Sequence, residues 1–284
     1  MWTVESVGNS VASIRIESKR NREWRCRFLL SSDRHHDNPK TDQGMEKRHL
    51  EQAREMGAGV MDFGDLFCAM QGKYDKRSSK SDLRPEHQNG RYLDSLVDTA
   101  AEFYRPYADL FAVIGTGNHE TSIKQRHETC LTSRLVDRLK TFGSPVVQGG
   151  YSGWIVFSFT RDGVSHKSIK LWYDHGYGGG GPVTKDIIQA SRRAVYLPDA
   201  DIVVSGHTHD RWIFPIERER ITQQMKRSRD TQTHVKIPSY KDSWRPEGNW
   251  EKERGMPPKP VGAIWLEFTQ DWKGVIDYEI TFAK

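Results

Sequence analysis

No stretch of the 284 residues approaches the ~18 consecutive apolar residues that a membrane-spanning helix requires. The first residues, MWTVESVGNS, lack the basic start and apolar run of a secretory signal. Cysteine is scarce: Cys26, Cys68 and Cys130 show no CxxC or CxxxxC spacing. Three widely separated thiols argue against a disulfide framework and fit a reducing, cytoplasmic setting. Nor is the chain poor in aromatics as disordered chains are, since Phe, Trp and Tyr make up 11% of it, with nine tryptophans. What remains is a folded chain, long enough for one large domain or two small ones.

A large excess of one sign of charge is absent, since the formal net charge is only +5, but that small excess is not evenly spread. Residues 211–260 hold 12 Lys and Arg against 7 Asp and Glu, which leaves 31 of each sign elsewhere. Within that stretch Trp212, Tyr240, Trp244 and Trp250 alternate with Lys226, Arg227, Arg229, Lys236, Lys241 and Arg245. Such a mixture can neutralise phosphates and stack bases. A polar insertion whose tryptophans cover a sheet edge explains it as well.

Strand-like and helix-like patterns alternate along the chain. Val11 to Glu17 has period two, and Trp24 to Ser31 ends in the apolar FLL, so both are expected strands. Further strands are expected at Gly59 to Phe63, Leu110 to Ile114, Trp154 to Thr160, Ser168 to Tyr173 and Asp201 to Ser205, with a closing hairpin after Val261. Helices are expected between Thr41 and Met56, capped by Thr41 or Asp42 and stopped at Gly57, from Tyr92 to Tyr104, from Ser122 to near Gly143, and from Lys185 to about Tyr196. Cys68 to Gly90 and about 221–260 are expected to be long loops, which in a compact domain are usually functional or mobile. The order predicts an α/β fold with two mixed sheets.

Five of the expected strands are followed directly by residues able to bind a metal. FLLSSDRHH supplies Asp33 and His35, VMDFGDLF supplies Asp65, and AVIGTGNHE supplies Asn118, His119 and Glu120. KLWYDHGYGGGG adds His175, and DIVVSGHTHD adds His207 and His209. A single Asp at a strand end is more often a turn former, and a single His more often a satisfied surface or core residue. Five such clusters in succession are hard to explain in that way. Parallel α/β sheets gather functional residues at the carboxyl ends of their strands, so the five clusters are expected to converge.

Carboxylate, amide and imidazole ligands without thiolates suit borderline or hard divalent ions and argue against a structural zinc knuckle. Seven ligands exceed the needs of one ion but suit two ions ~3.5–4 Å apart that share a carboxylate. Such a pair clamps a phosphoryl group and activates a bridging hydroxide, which makes phosphoester hydrolysis the expected reaction.

The ordered set Asp33-x-His35, Gly64-Asp65, Gly117-Asn118-His119-Glu120, His175 and Gly206-His207-x-His209 resembles the calcineurin-like metallophosphoesterases. The resemblance spans residues 33–209 and implies a four-layered α/β/β/α sandwich, two mixed sheets flanked by helices, forming one domain over 1–284 with an insertion at about 221–260. It implies that Asp33, His35 and His209 hold one metal, that Asn118, His175 and His207 hold a second, and that Asp65 bridges them. Manganese is the preferred ion among Mn, Zn, Fe, Ni and Co. His119 is implied to stand near the leaving oxygen as a proton donor, and Glu120 to hold structure beside the site. The arginine that Ser/Thr phosphatases place after the second motif is missing. Gly64-Asp65-Leu66-Phe67 instead looks like the SbcD-type DNA-repair exonucleases of the family. The expected substrate is therefore a phosphodiester such as DNA or RNA, with a phosphomonoester as the alternative and a silent nucleic-acid-binding protein as a third reading.

Around this set, Lys73 and Arg77 in the loop after Asp65, and Tyr177 and Gly178 after His175, are candidate substrate contacts. His36 and Asp37, directly after the first motif, could touch substrate or support a ligand, although residues so placed more often face solvent; His234 is expected to lie outside the site.

Overall fold

Alternating apolar residues build two mixed sheets whose inner faces meet. The computed structural model describes residues 2–8, 10–19, 21–70, 83–179, 181, 183–244, 253 and 255–284. Among these the chain forms β1 (Trp2–Gly8), β2 (Val11–Glu17), β3 (Arg25–Ser31), α1 (Gln43–Glu55), β4 (Gly59–Asp62), α2 (Tyr92–Tyr104) and β5 (Phe111–Ile114). It continues through α3 (Asn118–His127), α4 (Leu131–Thr141), β6 (Val147–Gln148), β7 (Ser152–Arg161), β8 (Val164–Asp174) and α5 (Ile187–Tyr196). The last strands are β9 (Ile202–Ser205), β10 (Trp212–Ile221), β11 (Arg227–Lys236), β12 (Ile264–Gln270) and β13 (Ile276–Phe282).

One sheet has the order β1-β2-β7-β8-β9-β11-β10 and the other β13-β12-β3-β4-β5-β6. β3, β4, β5 and β6 run parallel, as do β8, β9 and β11, so in each sheet neighbouring strands end at the same edge. Ile14, Phe157 and Leu171 of the first sheet pack with Phe28, Leu30, Met61, Val113 and Leu266 of the second in a dry central layer. On the outer face of the second sheet lie Leu50 and Ala53 of α1, Leu96 and Ala100 of α2, and Leu131, Leu135 and Leu139 of α4. The four-residue spacing of the α4 leucines puts one stripe against the sheet. α5 takes the outer face of the first sheet, where Arg193 lies over Trp172 and pairs with Asp174 at 3.1 Å. This is the α/β/β/α layering that the sequence implied.

Asp42, one of the two expected caps, does cap α1: its Oδ1 accepts from the Met45 N–H at 2.9 Å. Other local expectations change. The single helix expected after Ser122 is two, because Glu128 adopts a left-handed conformation (φ 52°) that ends α3. The expected long loop at 221–260 is a strand over Arg227–Lys236, paired antiparallel with β10. Of the other expected loop, residues 71–82, with Lys73 and Arg77, lie outside the described residues. The three cysteines are free thiols, and no helix among the described residues is long and apolar enough to cross a membrane.

Two buried histidines make stability depend on pH. Burial, with Arg193 and Arg218 nearby, pushes His234 down to about 4, and burial with Arg48 does the same to His49. Both stay neutral in the folded chain, whereas the unfolded chain protonates them near pH 6.5. Their stabilising neutrality is therefore complete above pH 6.5 and is lost as pH falls toward 4, at up to ~1.4 kcal/mol per pH unit for each. In urea unfolding of chelated protein, wild type is expected to lose more stability between pH 7 and 5 than His234→Gln. Equal losses would contradict the assignment.

Candidate metal centre

The five clusters meet where the parallel strands end. Asp33 and His35 follow β3, Asp65 follows β4, Asn118 opens α3 after β5, His175 follows β8, and His207 and His209 follow β9. Five of these seven, Asp33, His35, Asp65, His207 and His209, have positive φ between 44° and 72°. Such backbone costs about 1–3 kcal/mol per residue and persists only where the surroundings enforce it. The motif glycines are part of that enforcement. A Cβ on Gly117 would overlap the Asp65 carboxylate, and one on Gly206 would overlap Ser32 and Asp33. Gly117→Ala is accordingly expected to push Asp65 aside and weaken metal affinity ~10-fold or more while the protein remains folded, as equilibrium dialysis with circular dichroism would show. Unchanged affinity would contradict this placement.

Asp33 is fully buried, and its two oxygens differ. Oδ2 accepts from Ser32 Oγ at 2.7 Å and from the His207 N–H at 2.8 Å. Oδ1 has no hydrogen-bond partner, yet His209 Nε2, His35 Nε2 and His175 Nε2 lie 3.3, 3.8 and 3.9 Å away. His35 Nε2 and His209 Nε2 face each other at 3.3 Å. Beside them His175 Nδ1 donates to the Phe63 carbonyl at 3.1 Å, which leaves Nε2 toward Asp65 Oδ2 and Asn118 Oδ1, each at 3.1 Å. His207 Nδ1 meets the same Asn118 oxygen at 2.8 Å.

This arrangement turns imidazole nitrogens and carboxylate and amide oxygens toward one another, so protons or cations must lie between them. Without metal the charge is carried by protons. Burial opposes it, but Asp65 and Asp33 push His175 up to about 10. Burial likewise works against Asp33, whose carboxyl is nonetheless held well below the usual range by His175 and His209. Burial and the neighbouring His119 and His209 hold His35 well below its ordinary value. Asp33 with His35 and His209, and Asp65 with His175 and His207, form two groups whose donor atoms lie within 4.8 Å of one another. Oxygen and imidazole donors with an orphaned carboxylate oxygen fit divalent ions.

The groups around this centre hold it in place. Glu120 accepts from the N–H groups of Gly117 (2.8 Å), Asp65 (3.1 Å) and Phe67 (2.8 Å), tying two ligand loops together. Burial and the Asp65 charge push Glu120 up to about 8. His119 donates its backbone N–H to Asp65 Oδ1 at 2.9 Å, and its Nδ1 donates to the Cys68 carbonyl. That bond fixes the ring and leaves Nε2 at the open side, 3.7 Å from Asp65 Oδ2.

Of the other expected positions, one pair needs correction. His36 and Asp37 do not face solvent: His36 Nδ1 bonds Glu46 at 3.0 Å, and Asp37 accepts from the N–H groups of Cys68 and Ala69. Gly178 borders a pocket beside His207 and His209. Tyr177 turns toward α5 instead, where its hydroxyl donates to Gln189 Oε1 at 3.1 Å. His234 is buried in β11 against Gln232, away from the ligands.

The basic stretch divides. Tyr240 is fully buried, so its ring cannot meet a base; its hydroxyl bonds His49 at 2.8 Å. Lys236 is also buried, paired with Asp186 at 2.7 Å, and Arg227 pairs with Glu219 on the β10–β11 hairpin. Trp250 and Arg245 lie outside the described residues. Lys241 and Trp244 border the pocket beside the centre.

Sequence reasoning missed Arg34, which sits between two ligands yet points inward. Its Nη1 donates to Glu46 at 2.7 Å and its Nε to Asp62 at 2.9 Å, with no exposure of any of the three side chains.

Two packed mixed sheets with helices outside define the class of this protein as an α/β sandwich, with a cluster of histidines and carboxylates able to hold metal at its strand ends. Among solved structures the chain is similar to Vps29 of Chaetomium thermophilum, at 10% identity over 90% of this chain and 95% of that one, with a TM-score of 0.38. It is similar also to a predicted phosphoesterase of Streptococcus pneumoniae, at 11% identity over 92% and 99%, with a TM-score of 0.30. A third is GAP50, the anchor in the inner membrane complex of Plasmodium, at 11% identity over 92% and 85%, with a TM-score of 0.41. No family model and no curated protein matches the sequence.

Proposed function

We propose that the protein is a divalent-metal-dependent phosphoesterase that hydrolyses a phosphodiester. The observation that carries this reading is the buried, unpartnered Asp33 Oδ1 facing three imidazole nitrogens within 3.9 Å, beside a second group built on Asp65. Ions held by Asp33, His35 and His209, and by Asn118, His175 and His207, with Asp65 between, would supply positive charge for the phosphoryl oxygens and lower the pKa of water.

The chain's own groups do the rest. The His175–Phe63 hydrogen bond fixes the tautomer so that Nε2 is the ligating atom. His119, with Nδ1 committed to Cys68, presents Nε2 toward the open side, where a protonated ring can donate to the departing ester oxygen. As a water oxygen attacks phosphorus it gives up one proton to solvent and the bond to the departing ester oxygen breaks; the proton from Nε2 completes the alcohol, a phosphomonoester remains, and the ring takes a proton back from solvent. Asp65 stays ionised because, against the pull of burial, His175 and His119 lower its pKa. This keeps the negative charge between the two groups of ligands across the neutral pH range.

Chelated protein resupplied with Mn should hydrolyse bis-p-nitrophenyl phosphate faster than p-nitrophenyl phosphate, and single-stranded DNA and duplex ends complete the panel. No turnover with Mn or Zn would overturn the enzyme reading. Turnover of the monoester alone would replace the diesterase with a phosphatase.

A further inference from the structure

The chain leaving β11 returns across the metal centre. Ser239 Oγ donates to the Asp33 carbonyl at 2.6 Å, the Tyr240 N–H points at the same carbonyl at 3.3 Å, and the Tyr240 carbonyl accepts from the Asp42 N–H at 2.9 Å. A single bridge pairs Lys241 with Thr41, and another pairs Ser239 with Val261 where the chain comes back. These ties hold residues 239–244 against the ligand loops. They enclose a pocket of about 260 Å³ whose floor is His207 and His209 and whose walls include Lys241, Trp244, Met256 and Pro257.

Size, chemistry and charge limit what this pocket can take. Its volume falls just below the ~300–1,000 Å³ typical of sites for drug-sized ligands, a size that matches one ring system with a short linker. An indole, a thioether and a proline ring offer flat, polarisable apolar surface, which suits the face of a planar ring. Two lysines border it, but Lys259 is neutralised by Asp210 at 2.7 Å. Lys241 has no ion pair among the described residues, and it borders the pocket close enough for its charge to act on both His35 and Cys68.

We infer that this pocket holds the base of a single nucleotide unit, stacked against Trp244, while Lys241 meets the phosphate as it lies at the metal ligands. The inference rests on the phosphoesterase reading and narrows its substrate to a phosphoester carrying a planar base next to the reacting phosphorus. A free nucleotide ester and the terminal nucleotide of a strand present the same base and phosphate.

Calorimetric titration of metal-loaded protein with adenosine 5′-monophosphate, ribose 5-phosphate and inorganic phosphate tests this without turnover. The nucleotide should bind about tenfold or more tighter than ribose 5-phosphate, as expected for one stacked base. Trp244→Ala should erase that difference and Trp244→Phe should keep most of it, while Lys241→Gln should weaken all three ligands. Equal binding of nucleotide and ribose 5-phosphate by wild type, or a base preference unchanged in Trp244→Ala, would overturn the inference even if bis-p-nitrophenyl phosphate is hydrolysed. A Trp244-dependent base preference without any turnover would uphold the pocket and sink the enzyme reading. Comparing thymidine 5′-p-nitrophenyl phosphate with a single-stranded oligonucleotide separates the two sources: faster hydrolysis of the ester identifies small nucleotides, and faster hydrolysis of the strand identifies strand ends.

Discussion

Asp65→Asn is expected to lower turnover of every phosphoester by about 10³-fold or more while leaving the protein folded. The asparagine keeps the shape of the side chain. Its amide oxygen can accept the His119 N–H, now 2.9 Å from Oδ1, and its NH2 can donate to His175 Nε2, now 3.1 Å from Oδ2. The variant thus replaces a charged contact with a neutral hydrogen bond and loses only the negative charge between the two groups of ligands. Metal affinity should fall more than the ~10–100-fold seen when a supporting partner of a ligand is removed, because here a ligand itself loses its charge. Thermal unfolding of the chelated variant should stay within a few degrees of wild type, and the upward shift that metal gives wild type should disappear. Turnover close to wild type would mean that the activity belongs elsewhere.

The largest effect on stability is expected at Arg34. Its guanidinium joins two carboxylates in a site without water contact and is ringed by Tyr104, Phe111 and Tyr240 at 5.4 to 5.6 Å. Asp62 shows how costly that burial is: burial pushes it up to about 6 even with Arg34 beside it. Glu46 is held down to about 2 against burial by His36, Arg34 and Tyr104 together. Arg34→Met strands both charges and should cost about 3–5 kcal/mol in urea unfolding at pH 7. Adding Glu46→Gln and Asp62→Asn should recover much of that loss, because the penalty comes from unpaired charge and not from missing volume. Further additive destabilisation in the triple variant would contradict this account of the network.

What was legible in the sequence was governed by period and by order. The apolar runs of β3, β4, β5 and β9 and the alternation of β2 and β7 announce themselves because both faces, or one strict face, are buried. Five ligand clusters could be tied to strand ends because parallel strands finish at a common edge. β1 escaped notice because only Trp2 and Val4 among its residues reach the core, so its period is weak. The β10–β11 hairpin was hidden for a related reason: its outer half, with Arg218, Glu219 and Arg220 opposite Asp230, Arg229 and Ser228, is held by the ladder and by ion pairs in solvent, and resembles a polar loop.

Composition misled in one respect. The positive stretch looked like a single surface, but folding divides it among a solvent hairpin, a buried Lys236–Asp186 pair and a pocket wall at Lys241. Met256 and Pro257 had no signal at all, since two apolar residues in a polar segment acquire meaning only when the chain returns to the centre. The inward course of Arg34 was likewise invisible, because a side chain between two ligands is expected to share their open side.

The central claim is that seven side chains from five strand ends hold a pair of divalent ions. Equilibrium dialysis of chelated protein against Mn, read by elemental analysis, tests it most directly. Close to two ions per chain for wild type, falling below one in Asp65→Asn, is the predicted result; no retained metal in wild type, or the same content in the variant, would contradict it.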